Sequence, residues 1–230
     1  MPLHLTKVSK HANKLIKSKK GYEFPAWELT GESSFWLALL SGVRNSGRTN
    51  TVLQILNIEK DNMLKGDNRV YWISPTHDAK VAEVAEKNQD NMVFYDELNM
   101  TTFRNVIKDI EERIQKWHQT KYIFEVLEKY LKNKESIDDE DMALLIDSGM
   151  FDDDTDIKEL IKKFNFTHPP ISTLVLDDSL GSPIISSGNS TQGKEATKFF
   201  IKHRHLYTNV FILTQHFRGI NKTIQATQIR

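Results

Sequence analysis

The sequence contains no cysteine. This absence excludes disulfide bonds, zinc held by cysteine thiolates and a thiol nucleophile, and it suits a reducing compartment. No apolar run approaches the roughly 18 residues that a membrane-spanning helix needs. The first 20 residues also lack the apolar core of a secretory signal. We therefore expect an intracellular protein that does not enter a membrane.

The sequence also lacks any net charge, because 31 basic side chains balance 31 acidic ones. A neutral molecule has no long-range field that would draw it onto nucleic acid as a whole. The charges are nevertheless unevenly distributed. Residues 1–20 contain six lysines and no acid, whereas residues 135–159 contain eleven acids and one lysine. The two segments are either a solvated tail and a solvated loop, or a basic arm for DNA phosphates and an acidic surface insertion.

Five short apolar runs, each bounded by polar or turn residues, predict buried strands. They are residues 34–42, 69–75, 91–95, 172–178 and 209–215. The runs are continuous rather than alternating, which is typical of parallel strands covered on both faces. Helical patterns lie between them, over residues 49–57, 79–87, 101–117, 122–131 and 194–203. This alternation predicts an α/β fold with a mostly parallel, doubly wound sheet and helices on both faces.

The predicted organisation is a basic N-terminal arm over residues 1–30 and one domain over residues 31–230. Residues 101–165 interrupt the strand–helix alternation inside that domain. They predict two amphipathic helices, whose apolar stripe begins at Phe103, followed by short helices near 141–145 and 156–164. We interpret this segment as a helical and acidic insertion.

The stretch SGVRNSGRTN, residues 41–50, has the outline of a phosphate-binding loop. It follows a predicted strand and begins a predicted helix, so its backbone N–H groups can converge on phosphate oxygens at a helix N-terminus. Two glycines allow the tight wrap, and a threonine hydroxyl is placed for Mg²⁺. The residues predicted to bind ATP are Gly42, Val43, Arg44, Asn45, Ser46, Gly47, Arg48, Thr49 and Asn50.

Arg48 stands where this type of loop ordinarily has lysine. A guanidinium is planar and bulkier than an ammonium, but it still neutralises phosphate and can bind it through two hydrogen bonds. The rate of phosphoryl transfer depends on geometry more than binding does. We therefore predict that Arg48 retains nucleotide binding and slows hydrolysis, unless another residue such as Arg44 compensates.

Two further strands end in polar residues that complete a hydrolytic site. The run STLVLDDSL, residues 172–180, places Asp177 to hold Mg²⁺ through water and Asp178 to act as general base. The run ending at Gln215 would place that amide between the carboxylates and the γ-phosphate if its strand is an adjacent one. An alternative for the aspartate pair is a cap on a strand-to-turn transition.

Taken together, these segments resemble the FtsK/HerA-like P-loop ATPases, in particular the genome-packaging ATPases of large double-stranded DNA viruses and virophages of the poxvirus type. The resemblance lies in SGVRNSGRTNTVLQIL (41–56), STLVLDDSLGSP (172–183) and FFIKHRHLYTNVFILTQHFRGINKTI (199–224). The third segment is more specific than the loop, because many unrelated nucleoside triphosphatases share the loop.

The resemblance implies a ring of identical subunits that uses ATP and Mg²⁺ to push double-stranded DNA into a preformed capsid. It implies a capsid or portal-like vertex protein as partner, and a location in the virion or the host cytoplasm. Such rings complete each site with an arginine of the neighbouring subunit, for which Arg204 and Arg218 are candidates. The alternatives are a P-loop kinase of a nucleoside or small metabolite, and an ATP-binding subunit with weakened catalysis.

Overall fold

The computed structural model describes residues 15–18, 20–28, 35–133, 137–149, 157–186, 190–216 and 220–226. The chain divides into two compact units. The first contains Met1–Glu111 together with Pro170–Arg230, and the second contains Glu112–Pro169.

A five-stranded parallel sheet forms the centre of the first unit. Its strands are β3 (Leu37–Ser41), β4 (Arg69–Ile73), β5 (Met92–Tyr95), β6 (Ser172–Leu176) and β7 (Thr208–Thr214). Every residue of β6 and β7 is buried, as expected for apolar strands that are covered on both faces. All five predicted strands are present, and the predicted α/β class is confirmed.

The strand order across the sheet is β3-β7-β6-β4-β5. The chain therefore moves in one direction from β3 to β5 and then returns through β6 and β7. Because parallel crossovers are right-handed, this reversal places helices on both faces of the sheet. The helices that follow β3 and β4 are α1 (Arg48–Ile58), with α2 (Lys60–Met63) after it, and α3 (Ala79–Lys87).

The helices of the return path contact each other through aromatic side chains. They are the start of α4 (Met100–Lys132) and α8 (Thr191–Lys202), which follows the short α7 (Pro183–Ser186). The ring of Phe103 lies 5.4 Å from that of Phe199 and 5.9 Å from that of Phe200. A 3₁₀ helix (His203–Leu206) then leads into β7, and α9 (Lys222–Ala226) follows that strand.

The strand order brings the carboxyl ends of β3, β7 and β6 to one edge of the sheet. Ser41 pairs with Thr214, and Leu176 pairs with Ile212. The N–H of Gly42 donates to the carbonyl of Thr214 over 3.2 Å, so the loop after β3 begins beside the end of β7. Ligands of open α/β sheets bind at this edge, which makes it the place to look for a functional site.

An antiparallel hairpin lies within the segment that the sequence analysis assigns to a basic arm. Its strands are β1 (Leu15–Lys17) and β2 (Glu23–Pro25). Phe24 is buried, and its ring lies 5.2 Å from that of Phe35 and 5.4 Å from that of Tyr207. The second half of the predicted arm is therefore anchored by aromatic packing, whereas residues 1–14 lie outside the described residues.

The prediction of two helices over residues 101–117 and 122–131 is wrong, because α4 is one continuous helix of 33 residues. The segment contains neither glycine nor proline, so nothing in it interrupts the backbone hydrogen bonds. At 1.5 Å per residue the helix is about 50 Å long. The turn we expected after Trp117 corresponds only to a polar stretch.

The second unit contains residues 112–132 of α4, followed by α5 (Asp139–Asp147) and α6 (Ile157–Lys163). Both short helices lie where the sequence predicts them. Phe124, Val126, Leu127 and Leu145 form its buried core, with Phe164 packed against them. A hydrogen bond of 2.7 Å from the Trp117 indole to the carbonyl of Asn165 ties the two ends of the unit together.

Within the described ranges, none of the helices combines the length and the apolar character that crossing a membrane requires.

Candidate nucleotide-binding site

The loop between β3 and α1 has a backbone that requires its glycines. Gly47 is the residue before α1 and has a φ of 87°, a conformation that side chains with a Cβ rarely adopt. A Cβ on Gly42 would lie 2.6 Å from the Oγ of Ser46, so the loop closes tightly over that position. Asn45 also has a positive φ, of 64°, which asparagine tolerates better than most residues. These positions shape the compact turn that the sequence pattern predicts.

The first turn of α1 is left open for an anion. No side chain caps the helix N-terminus, and the first turn contains no acidic residue. The first N–H groups of a helix have no partner inside the helix, and the helix dipole adds positive potential there. This end of α1 therefore has the properties of a phosphate-binding helix terminus.

A cavity of about 580 Å³ opens at this edge of the sheet, within the range of small-molecule sites. Its walls come from four places: the loop and start of α1, the end of β6, the end of β7, and the segment after β4. The lining residues are Arg44, Asn45, Ser46, Gly47, Arg48, Thr49, Asn50, Thr76, His77, Asp78, Lys80, Asp177, Asp178 and Gln215. The structure thus brings together the three predicted segments that lie far apart in the sequence.

Thr49 and Asp177 face each other across the bottom of the site. The Thr49 hydroxyl donates to a carboxylate oxygen of Asp177 over 3.2 Å, and the N–H of Asp178 donates to the other oxygen over 2.8 Å. Burial raises the pKa of Asp177, although both hydrogen bonds and the charge of Arg48 oppose the rise. A buried carboxylate and a hydroxyl are oxygen ligands of the kind that Mg²⁺ prefers, so these two residues fit the predicted metal position.

Asp178 and Gln215 form the second contact of the site. The Gln215 amide donates to one carboxylate oxygen of Asp178 over 3.1 Å. Asp178 is half-buried and has a φ of 47°, a left-handed backbone conformation that non-glycine residues occupy at some cost in energy. The turn directs the carboxylate toward β7 rather than along β6, and Gln215 holds it there. Gln215 therefore contacts one of the two carboxylates, that of Asp178, and its position relative to a γ-phosphate stays a prediction.

The Arg48 side chain forms two hydrogen bonds within the protein. Its Nη1 donates to the carbonyl oxygens of Gly42 and Thr214. The guanidinium thereby joins the first residue of the loop to the end of β7, while the side chain still lines the cavity. A guanidinium has five N–H donors, so the two carbonyls leave donors for a phosphate. Its role toward nucleotide stays a prediction.

Sequence reasoning missed the segment between β4 and α3. Thr76, His77, Asp78 and Lys80 line the cavity, because β4 lies next to β6 and ends at the same edge. Asp78 caps α3 by accepting from the N–H of Lys80 over 2.9 Å, and Nζ of Lys80 donates to Asn50 over 3.2 Å. The available signal was a cluster of polar residues directly after a strand. It pointed to the site only once the strand order was known.

The two candidate trans-acting arginines differ in what can be said of them. Arg204 is exposed in the 3₁₀ helix before β7, at the opposite end of that strand from Gln215. A seven-residue strand spans about 23 Å, so Arg204 is remote from the site of its own chain. Arg218 lies outside the described residues.

Comparison with solved structures finds similarity to EssC (ATPases 2 and 3) from Geobacillus thermodenitrificans. The TM-score is 0.50 and the sequence identity is 10%, over 99% of this chain and 39% of that one. The chain thus spans well under half the length of that protein. No protein-family model matches the chain, and no curated protein matches its sequence. At such low identity the likeness concerns the fold alone, and it agrees with the predicted P-loop NTPase fold.

Replacing Gln215 by alanine is expected to lower turnover by about tenfold to a hundredfold with little change in KM for ATP. The amide contacts Asp178 and not the loop, so its loss disturbs the reacting end of the site more than the binding end. Steady-state phosphate release measures both constants. Gln192→Ala, on an exposed position of α8, is the matched control and should behave as wild type. A rise in KM alone would contradict this placement.

Proposed function

We propose that this protein is an ATPase whose site lies at the carboxyl edge of the sheet. The observation that carries the proposal is the convergence of two contacts beneath one phosphate-binding loop. Thr49 meets Asp177, and Gln215 meets Asp178. The alternative, that the two aspartates cap a strand-to-turn transition, would explain their presence at the end of β6. It would not explain why the Thr49 hydroxyl contacts one of them and the Gln215 amide contacts the other.

The phosphates would bind to the N–H groups of the loop and of the first turn of α1. Arg44, Arg48 and Lys80 line the same cavity and would neutralise the phosphate charge. Thr49 and Asp177 would hold Mg²⁺, which supplies further neutralisation of charge on the phosphate oxygens when bound. The volume of the cavity and the cations in its lining support a nucleoside triphosphate as the ligand.

In this proposal Asp178 activates the attacking water. Its carboxylate would accept a proton from the water while the water oxygen forms a bond to the γ-phosphorus. The bond between the γ-phosphorus and the bridging oxygen then breaks, and its electron pair stays on the leaving ADP. Gln215 holds one oxygen of Asp178 and so leaves the other free to face the water.

We further propose that ATP hydrolysis drives double-stranded DNA into a viral capsid through a ring of identical subunits, in contact with a capsid or portal-like vertex protein. The resemblance to packaging ATPases supports this, because each of the three segments that carry it contributes residues to the cavity: the loop after β3, the pair Asp177 and Asp178, and Gln215. The exposed position of Arg204, remote from its own site, suits a residue that acts on a neighbouring subunit.

Phosphate release with and without double-stranded DNA tests the proposal. We expect basal turnover that duplex DNA stimulates several-fold, and an increase in solution mass when ATP is added. Turnover that requires a small acceptor would instead identify a kinase. Binding of ATP without turnover under any condition would identify a subunit with weakened catalysis. Either result would overturn the proposal that the protein drives DNA into a capsid.

A further inference from the structure

Three lysines form a row on the exposed face of α8. Lys194, Lys198 and Lys202 are spaced four residues apart and are all solvent-exposed, and we call them the α8 lysine stripe. Residues four apart lie on the same side of a helix, so the three ammonium groups follow one line. At 1.5 Å per residue the row is about 12 Å long.

The described part of the chain provides no acidic partner for the stripe. Among the described residues, none of the three lysines forms an ion pair. The one acidic residue of α8 is Glu195, and both of its carboxylate oxygens accept hydrogen bonds from Arg104, at 2.8 and 2.7 Å. Like charges four residues apart repel each other, so the arrangement favours an external anion over a bare solvated face.

A groove of about 470 Å³ runs beside the stripe. Its other lining residues are Thr197, Ile201, Asn221 and Thr223. The Asn221 amide donates to the Thr197 hydroxyl over 3.0 Å, and the N–H of Asn221 donates to the carbonyl of Ile185 over 2.8 Å, which fixes the polar floor. The groove thus combines a row of cations with hydroxyl and amide groups, and its one large apolar side chain is Ile201.

We propose that the stripe and its groove bind the phosphate backbone of double-stranded DNA. One strand of duplex DNA presents one phosphate per 3.4 Å of helix axis, and its phosphates wind around that axis, so we match the three cations, spread over about 12 Å, to three phosphates. Lysine, hydroxyl and amide groups are the usual contacts to phosphate and sugar, and they read no base sequence. The choice of duplex DNA rests on the proposed function.

The position of α8 in the chain connects this surface to the hydrolytic site. The helix follows the segment that begins at Asp178, and through the 3₁₀ helix it leads into β7, whose last residue, Thr214, directly precedes Gln215. The two residues that contact each other at the site therefore flank the proposed DNA-binding helix in sequence.

Fluorescence anisotropy of a labelled 30-base-pair duplex, without nucleotide and from 50 to 200 mM salt, tests the proposal on the full chain. The test variant is Lys194→Gln/Lys198→Gln/Lys202→Gln. The control, Lys65→Gln/Lys87→Gln/Lys132→Gln, removes the same charge from lysines that already have partners in Asp61, Glu83 and Glu128.

Loss of three phosphate contacts should flatten the slope of log K against log salt by about 2.7. The affinity at 100 mM salt should fall at least tenfold in the test variant and less than threefold in the control.

Several outcomes would overturn the assignment. Wild-type DNA affinity in the test variant would overturn it. An equal loss of affinity in both triple variants would also overturn it, because an equal loss reflects net charge alone. Binding of a synthetic peptide of residues 135–159 in place of DNA would make the stripe a protein-docking surface. ATP hydrolysis measured without DNA should be the same in all three proteins. If the wild-type protein hydrolysed no ATP, the ATPase proposal would be wrong, but the measured DNA affinities could still be interpreted on their own.

Discussion

Replacing Asp178 by asparagine should lower ATP turnover by a factor of about 10²–10⁴ and leave nucleotide affinity nearly unchanged. An amide cannot take the proton of the attacking water. Asparagine matches the size of aspartate, and its side-chain oxygen can still accept the hydrogen bond from Gln215. It also tolerates the left-handed backbone at this position, where φ is 47°. Phosphate release and binding of a fluorescent ATP analogue measure the two quantities.

Two variants make this result specific. Asp90→Asn changes an exposed aspartate and should leave both quantities at their wild-type values. Asp177→Asn alters the carboxylate beside Thr49, so it should weaken the Mg²⁺-dependent part of nucleotide binding as well as turnover. If Asp178→Asn retained more than a third of the wild-type rate, Asp178 would not be the general base.

Replacing Arg48 by methionine should weaken ATP binding by about tenfold to a hundredfold, since a hydrogen bond to a charged group contributes about 1.5–3 kcal/mol. The variant loses a cation in the cavity and the two hydrogen bonds from the guanidinium to the carbonyls of Gly42 and Thr214. Methionine keeps the length of the side chain but has no donor. Isothermal titration with ATP and Mg²⁺ measures the change.

Arg48→Lys separates the charge from the geometry. It keeps the cation, and its compact, rotatable ammonium can leave the carbonyls of Gly42 and Thr214 more easily than a planar guanidinium can. We therefore expect turnover to rise several-fold. Arg44→Met, at an exposed position of the same loop, is the control for loss of charge and should weaken binding less than Arg48→Met. A large loss of turnover in Arg48→Lys would show that the site is adapted to arginine.

Local features of this protein were predictable because their causes are local. The apolar runs gave all five strands of the sheet, and α3 begins and ends where its pattern predicts. The failure at α4 has an equally local cause, because a polar stretch such as residues 118–121 marks a solvent-facing surface and does not break a helix that contains no glycine or proline. The hydrogen bonds of the Arg48 side chain were not predictable, since one of its two acceptors belongs to Thr214, 166 residues away.

The sequence by itself determined the components of the site: a glycine loop between a strand and a helix, two acids after one strand and an amide after another. Only the tertiary structure decided that they meet. β7 lies between β3 and β6, which puts Gln215 beside Asp178, and β4 lies next to β6, which adds His77 and Lys80 to the cavity. The physical reason is that parallel strands pair through long crossovers, so the identity of a strand's neighbour depends on packing across the whole sheet and leaves no local signal in the chain.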